Sequence, residues 1–154
     1  RVIATRNSSR EGPSFVDYVG LSNELPKLVG KADIIINALP LTSSTQGMFD
    51  KALFDQVKPG AYFVNVGRGG TVITADLVAA LESGQIAGAG LDVTDPEPLP
   101  ADHPLWRMPN VIITPHVSWA GADRRLHNML MRENIRRYLA GEALLNVVDP
   151  ERGY

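Results

Sequence analysis

The chain has 154 residues, 44% of them hydrophobic and 21% charged, the profile of a globular domain able to bury a core. A formal net charge of −2 with no dense basic stretch argues against a nucleic-acid footprint, and the absence of cysteine excludes disulfides, thiolate metal sites and cysteine nucleophiles. No apolar run approaches the roughly 20 residues of a membrane span and no leader pattern opens the chain, so the expected compartment is the cytoplasm.

In chain order, Arg1-Val2-Ile3-Ala4-Thr5 reads as a short buried strand, entered without an initiator methionine as if in the middle of a larger protein. Residues 6–13 read as a polar loop. Ser22 is the expected N-cap of a helix that runs through Leu25 and Leu28 to Val29 and stops at Gly30. Residues 33–39 read as a strand that is apolar on both faces, as in the centre of a parallel sheet. Pro40 ends it, a Ser/Thr-rich loop follows, and Asp50 caps a helix to about Val57, before Pro59-Gly60. Residues 61–66 are the next buried strand, and Thr74 caps a helix over 75–83 that Gly84 closes. A strand with small residues covers 87–93, a long loop 94–110 and a last strand 111–114. Residues 121–140 form a long helix with a wide apolar face (Leu126, Met129, Leu130, Ile135, Tyr138, Leu139), closed by Gly141 before an extended tail at 146–149.

Alternating strands and helices with short loops specify a parallel α/β sheet. Right-handed crossovers place the carboxyl ends of its strands on one edge, where the loops after them carry most of the chemistry in the sequence. Gly67, Gly69 and Gly70 follow one strand, and glycines there are expected to let the backbone approach a ligand. Arg68 between them offers a guanidinium fork suited to a carboxylate. His103 reads as a loop residue and His127 as a helix residue, but His116, in Thr114-Pro115-His116, stands at the ligand edge. An imidazole in that place is a candidate general acid or base. Glu97, on the loop after another strand, would hold the ring and favour its charged form. Arg68, Glu97 and His116 thus supply an anion clamp, an orienting carboxylate and a proton donor, which is what reduction of an α-keto acid by a nicotinamide requires.

Three blocks, Val64-Asn65-Val66-Gly67-Arg68-Gly69-Gly70, Gly90-Leu91-Asp92-Val93-Thr94-Asp95-Pro96-Glu97-Pro98 and Asn110-Val111-Ile112-Ile113-Thr114-Pro115-His116, resemble the signatures of the D-isomer-specific 2-hydroxyacid dehydrogenases. That family includes glyoxylate/hydroxypyruvate reductases and phosphoglycerate dehydrogenase. The resemblance implies that Arg68 binds the substrate carboxylate and that Glu97 and His116 form the acid–base pair. It also implies that Asp92 holds the carboxamide side of the nicotinamide, and that Leu39, Pro40, Val66, Gly67 and the segment 116–119 with Ser118 line the cofactor. The expected fold is a Rossmann-like parallel sheet lacking the first βα unit with its G-x-G-x-x-G turn, and lacking the substrate domain. Residues 1–118 are then a partial NAD(P)-binding domain, and residues 119–154 a helix and tail directed at the missing domain. Trp119 departs from the small residues common in the family, and a role in shaping the substrate pocket is the expectation.

Cofactor choice follows from the loop after the first strand. A carboxylate at the end of that strand selects NAD, but here no acid occurs before Glu11. Arg6, with Asn7 and Ser8 as donors, suits a 2′-phosphate, so NADP is expected over NAD. The expected partners are a small 2-keto or 2-hydroxy acid and a second copy of the chain. The alternative function is a nucleotide-binding scaffold of the same fold, like the corepressors that resemble this family.

Overall fold

The computed structural model describes residues 1–7, 9–121 and 124–149. Strands β1 (Ile3–Arg6) and β2 (Tyr18–Leu21) pair in parallel, with Ile3 opposite Tyr18 and Arg6 opposite Leu21. Four more strands, β3 (Ile34–Asn37), β4 (Ala61–Asn65), β5 (Ile86–Leu91) and β6 (Val111–Ile113), form a second parallel sheet in that spatial order. Helices α1 (Leu25–Val29), α2 (Lys51–Phe54) and α3 (Thr74–Glu82) connect the strands, and α4 (Arg124–Ala140) follows the last one. The result is a Rossmann-like parallel α/β arrangement in two sheet pieces.

The core lies on one face of the larger sheet. Along β4 the pleat alternates, turning Ala61, Phe63 and Asn65 inward and Tyr62 outward. Phe63 is wholly buried, 5.0 Å from Phe49 and 5.5 Å from Phe54 between ring centroids, with Phe54 nearly perpendicular to it at 83°. Burial of such a side chain stabilises by about 1.5–3 kcal/mol, and the edge-to-face contact adds to it. Val29 of α1, Leu53 and Phe54 of α2, and Leu77 and Leu81 of α3 complete this layer with Ile35 and Ile86.

The other face is bare. Ile34 and Tyr62 are exposed, as are Ile36 (68%) and Ile112 (70%). The expectation that residues 33–39 are covered on both faces is therefore corrected: α1, α2 and α3 all join the core on the Phe63 side. Strand β1, expected to be buried, is only half-buried. Helix α4 has no buried residue, and Leu126, Met129, Tyr138 and Leu139 are all exposed. Its expected start at residues 121–123 falls partly outside the described residues.

Two caps also differ from expectation. Ser22 is not an N-cap: the Glu24 carboxylate reaches back to the Leu21 amide at 2.8 Å, so the turn starts one residue earlier as a 3₁₀ turn over Ser22–Glu24. Thr74 lies inside α3, its hydroxyl donating to the Asp95 carbonyl at 2.6 Å instead of capping. Asp50 does cap α2, accepting the Leu53 amide at 2.9 Å. No helix among the described residues is long and apolar enough to cross a membrane.

Candidate functional site

Beyond β4 the chain turns at Val66 and Gly67 into a 3₁₀ turn over Gly69–Thr71 that carries Arg68 at its entrance. The glycines there are explained by the protein itself. A Cβ on Gly67 would lie 2.6 Å from the Leu39 carbonyl oxygen, and one on Gly69 would lie 1.9 Å from that of Thr94. The missing side chains let three strand-end loops close on each other. Arg68 is exposed, with Nη1 donating to the Gly67 carbonyl at 2.7 Å. Beneath it, Asn37, Asn65 and Thr71 are almost wholly buried and bonded to one another.

His116 and Glu97 meet, with His116 Nδ1 2.7 Å from Glu97 Oε1 and the two side chains 38% and 41% exposed. The imidazole rises from a residue in the left-handed region, at φ 54°, a conformation that costs a non-glycine residue about 1–3 kcal/mol and persists only when its surroundings impose it. Asp92 imposes it. Its backbone carbonyl accepts the His116 amide at 3.0 Å. Its carboxylate accepts the Val117 amide at 2.9 Å, the Ser118 amide at 2.8 Å and the Thr114 hydroxyl. Burial opposes its ionisation, but the Thr114 hydroxyl and the Ser118 and Val117 amides outweigh that and hold the carboxyl well below the usual carboxylate range. Trp119, 64% exposed, donates from its indole nitrogen to the His116 carbonyl at 3.2 Å, so the ring is fastened to this turn.

Beside the turn, on the bare face of the sheet, a cavity of about 310 Å³ is lined by Val64, Val66, Gly90, Asp92, Thr114 and Ser118, among others. Gly90 forms an open part of its wall, since a Cβ there would meet nothing nearer than Val64 at 3.8 Å. Of the residues expected at the cofactor, Val66, Asp92 and Ser118 border this cavity, as does Val117 of the segment 116–119, whereas Arg68 and His116 do not; the expected catalytic Glu97 does not border it either. Leu39 and Pro40 belong to the neighbouring loop, where the Leu39 amide donates to Asn37 and the Pro40 carbonyl accepts the Thr45 hydroxyl.

At the end of β1, Arg6 is exposed and donates to the Glu11 carbonyl at 2.6 Å. Asn7, itself exposed, accepts the Ser22 hydroxyl at 3.2 Å through its side-chain oxygen. Ser8, expected as a further donor, lies outside the described residues. Arg10 is held by Glu24 at 2.7 Å and by the Tyr18 hydroxyl at 3.1 Å. His103 caps a short 3₁₀ turn and His127 is exposed on α4.

Sequence reasoning missed the buried support of this site. Asn37, Asn65 and Thr71 are polar residues at the ends of apolar strands, and an amide closing an Ile-Ile-Ile run was the available signal. No group of three or more metal-ligating side chains occurs among the described residues.

Residues 1–118 match the model of the D-isomer specific 2-hydroxyacid dehydrogenase NAD binding domain. The whole chain is 43% identical to an uncharacterized protein from the proB 3′ region of Corynebacterium melassecola, covering 51% of that protein. It is 40% identical over 147 residues to glyoxylate/hydroxypyruvate reductase A of Salmonella paratyphi B, covering 96% of this chain and 46% of the relative. The chain thus spans about half the length of these curated relatives. Among solved structures, a D-isomer specific 2-hydroxyacid dehydrogenase from Xanthobacter autotrophicus Py2, in complex with NADPH and MES, aligns with a TM-score of 0.84 at 38% identity over 99% of this chain and 72% of that one. An NADPH-dependent glyoxylate/hydroxypyruvate reductase from Sinorhizobium meliloti, in complex with NADP and sulfate, aligns with a TM-score of 0.86 at 36% identity over 99% of this chain and 49% of that one.

Proposed function

Because the chain belongs to the D-isomer specific 2-hydroxyacid dehydrogenases, we propose that it is part of an oxidoreductase moving hydride between NADPH and a small 2-keto acid of the glyoxylate or hydroxypyruvate kind. The observation that carries the reading is the Glu97–His116 pair at 2.7 Å, two residues that leave β5 and β6, with Arg68 leaving the adjacent strand β4. The guanidinium of Arg68 grips the substrate carboxylate as a fork. Glu97 accepts from Nδ1–H of His116, which leaves Nε2 to deliver a proton to the carbonyl oxygen as charge develops there. The nicotinamide, when bound, supplies hydride to the carbonyl carbon.

The residues present suit such a group. The cavity on the sheet face is apolar over Val64, Val66 and Gly90, a surface for a flat ring. Asp92 and Ser118 at its rim supply polar groups. The Asp92 carboxylate, fixed by the Thr114 hydroxyl and the Val117 and Ser118 amides, stands at the rim where a carboxamide would lie. Leu39, Pro40, Val66 and Gly67 form the adjoining backbone.

Arg6 favours NADP over NAD. It stands exposed at the end of β1 with no acid before Glu11, while Arg10 is already paired with Glu24. NADPH and NADP in the two neighbouring structures support this choice. Residues 1–118 serve the nucleotide, and residues 119–154 reach toward a substrate domain. The uncovered apolar side chains of α4 support a homodimer, and we place the enzyme in the cytoplasm.

The test is the ratio of kcat/KM for NADPH and NADH on glyoxylate with the full-length protein, then with Arg6→Asp. The expected wild-type ratio favours NADPH, and Arg6→Asp should reverse it by about tenfold or more, the scale of one lost charge-assisted phosphate contact turned repulsive. A wild type that prefers NADH, or a ratio that Arg6→Asp leaves unmoved, overturns the cofactor assignment.

A further inference from the structure

Under Arg68 lies a buried hydrogen-bond relay whose donor and acceptor ends are set by the backbone. The Asn37 side-chain oxygen accepts the Leu39 amide at 3.1 Å, and that of Asn65 accepts the Gly67 amide at 3.1 Å. A backbone N–H can only donate, so both carboxamide orientations are set by the chain itself. The Asn37 amide nitrogen then donates to Asn65 Oδ1 at 3.0 Å and to Thr71 Oγ1 at 2.7 Å. With its acceptor side so engaged, the Thr71 hydroxyl donates its single proton to the Arg68 carbonyl at 2.6 Å. Asn65 Nδ2 donates to that same carbonyl at 3.3 Å, and the Thr71 amide does so at 3.2 Å. Three donors converge on the backbone of the one cation in the loop. Asn37, Asn65 and Thr71 are 2%, 1% and 0% exposed, so water does not compete for any of these bonds.

We propose that Asn37, Asn65 and Thr71 are positioning residues for Arg68: their relay locks the peptide from which the guanidinium projects, and so sets the affinity for the substrate carboxylate. The relay does more than stabilise a turn. Asn37 also holds the amide of Leu39, so it ties the loop after β3, on the cofactor side, to the loop after β4 that carries the cation. A guanidinium fork matches a carboxylate only over a narrow range of position and angle, so a freed Arg68 peptide loosens binding without removing any charge.

This rests on Arg68 as the carboxylate clamp, and the experiment separates the two claims. In the full-length protein with NADPH, KM and kcat for glyoxylate and the dissociation constant of the unreactive dicarboxylate oxalate are measured for wild type, Thr71→Val, Thr71→Ser and Arg68→Lys. Thr71→Val keeps the shape and deletes the hydroxyl. It should raise KM and the oxalate dissociation constant about tenfold, the scale of one well-made hydrogen bond, while kcat and the NADPH dissociation constant move less than about twofold. Thr71→Ser restores the hydroxyl and should restore both values. Asn37→Asp, which keeps the acceptor for Leu39 but loses both donors, should behave like Thr71→Val and stands in for it if that variant does not fold. A purely structural role would lower the melting temperature and leave KM of the folded enzyme unchanged, and that result overturns the relay. If Arg68→Lys leaves KM and oxalate binding unmoved, the clamp itself falls, and the relay's functional claim with it. If Arg68→Lys weakens both while Thr71→Val weakens neither, only the relay falls.

Discussion

The reactive tips of this site and the platform beneath them are built on opposite terms. Arg68, Glu97 and His116 end in side chains open to solvent, whereas Asn37, Asn65, Thr71 and Asp92 are almost wholly buried. Each buried side chain is hydrogen-bonded, and among the described residues no buried side-chain polar atom lacks a partner. On the proposed function the tips meet a ligand, so they must be reachable; the platform must not move, so water is kept from it. One rule follows for substitutions. At a tip, function should change while stability does not. At the platform, stability must suffer, because removing one buried partner strands the other.

The sharpest way to break that comparison is His116. Replacement by Asn suits the left-handed backbone there, which Asn tolerates better than most residues, and deletes the proton donor. We expect turnover of a keto acid by the full-length enzyme to fall by about 100-fold or more, the usual contribution of a positioned acid. The unfolding free energy should stay within about 0.5 kcal/mol of wild type, as for a surface change. A loss of stability matching the loss of rate would show that the ring is part of the platform.

How far the sequence foretold this division depends on how local each feature is. The strand-end blocks were legible because glycines, an arginine and a Pro-His pair interrupt apolar runs at points fixed by strand periodicity. The contact between Glu97 and His116 was expected from their places at neighbouring strand ends, and the side chains do meet. Strand β2 was missed. Tyr18-Val19-Gly20-Leu21 is short, contains a glycine and has no alternation to announce it, and its pairing with β1 is set at long range. Ser22 failed as a cap because Glu24, three residues after Leu21, bonds back to the Leu21 amide and starts the turn one residue earlier, while the Ser22 hydroxyl donates to Asn7. The uncovered side of β3 was illegible for a different reason. Alternate isoleucines look the same whether or not a second layer is present, and only the position of the helices shows that Ile34 and Ile36 are bare. The two asparagines of the platform were passed over because a polar residue ending a strand usually begins a loop.

A smaller effect should come from Asp92, the platform's charged member. Asp92→Asn replaces an acceptor of three hydrogen bonds with a group that must turn an N–H₂ toward at least one donor, an expected loss of about 1–3 kcal/mol near neutral pH. The pH dependence has a fixed sign. Because its folded-state pKa is depressed, the carboxylate contributes stability that is fully present above the unfolded value of about 3.9 and is lost as pH falls toward the folded one. Wild type and Asp92→Asn should therefore differ most above about pH 5 and draw together in acid. Denaturant melts from pH 3 to 7 read this directly. Parallel curves across that range would mean that Asp92 does not stabilise the fold as an anion.

The smallest expected effect tests whether burial, and not the depressed pKa alone, separates the two classes. Glu24 is also held low, pushed down to about 2 by the Tyr18 hydroxyl first, then by the Leu21 amide and Arg10. Its partners are as close as those of Asp92, at 2.6 Å for Tyr18, 2.8 Å for Leu21 and 2.7 Å for Arg10. Its surroundings differ, because Arg10 and Tyr18 are exposed and solvent screens the cluster. The same sign applies. Any stability it contributes is present above the unfolded value of about 4.3 and is lost as pH falls toward 2. Glu24→Gln should flatten that acid limb less than Asp92→Asn does. Added salt should separate them further: at about 0.5 M the Debye length is near 4 Å, short enough to mute an exposed ion pair and leave a buried carboxylate bonded to amides untouched. The prediction is that salt erases the difference between wild type and Glu24→Gln, while the difference between wild type and Asp92→Asn persists. If salt erases both, Asp92 is screened like a surface group, and the water-free platform is wrong at that residue. If it erases neither, the Glu24 cluster belongs with the platform, and the loop carrying Arg6 is held as firmly as the one carrying His116.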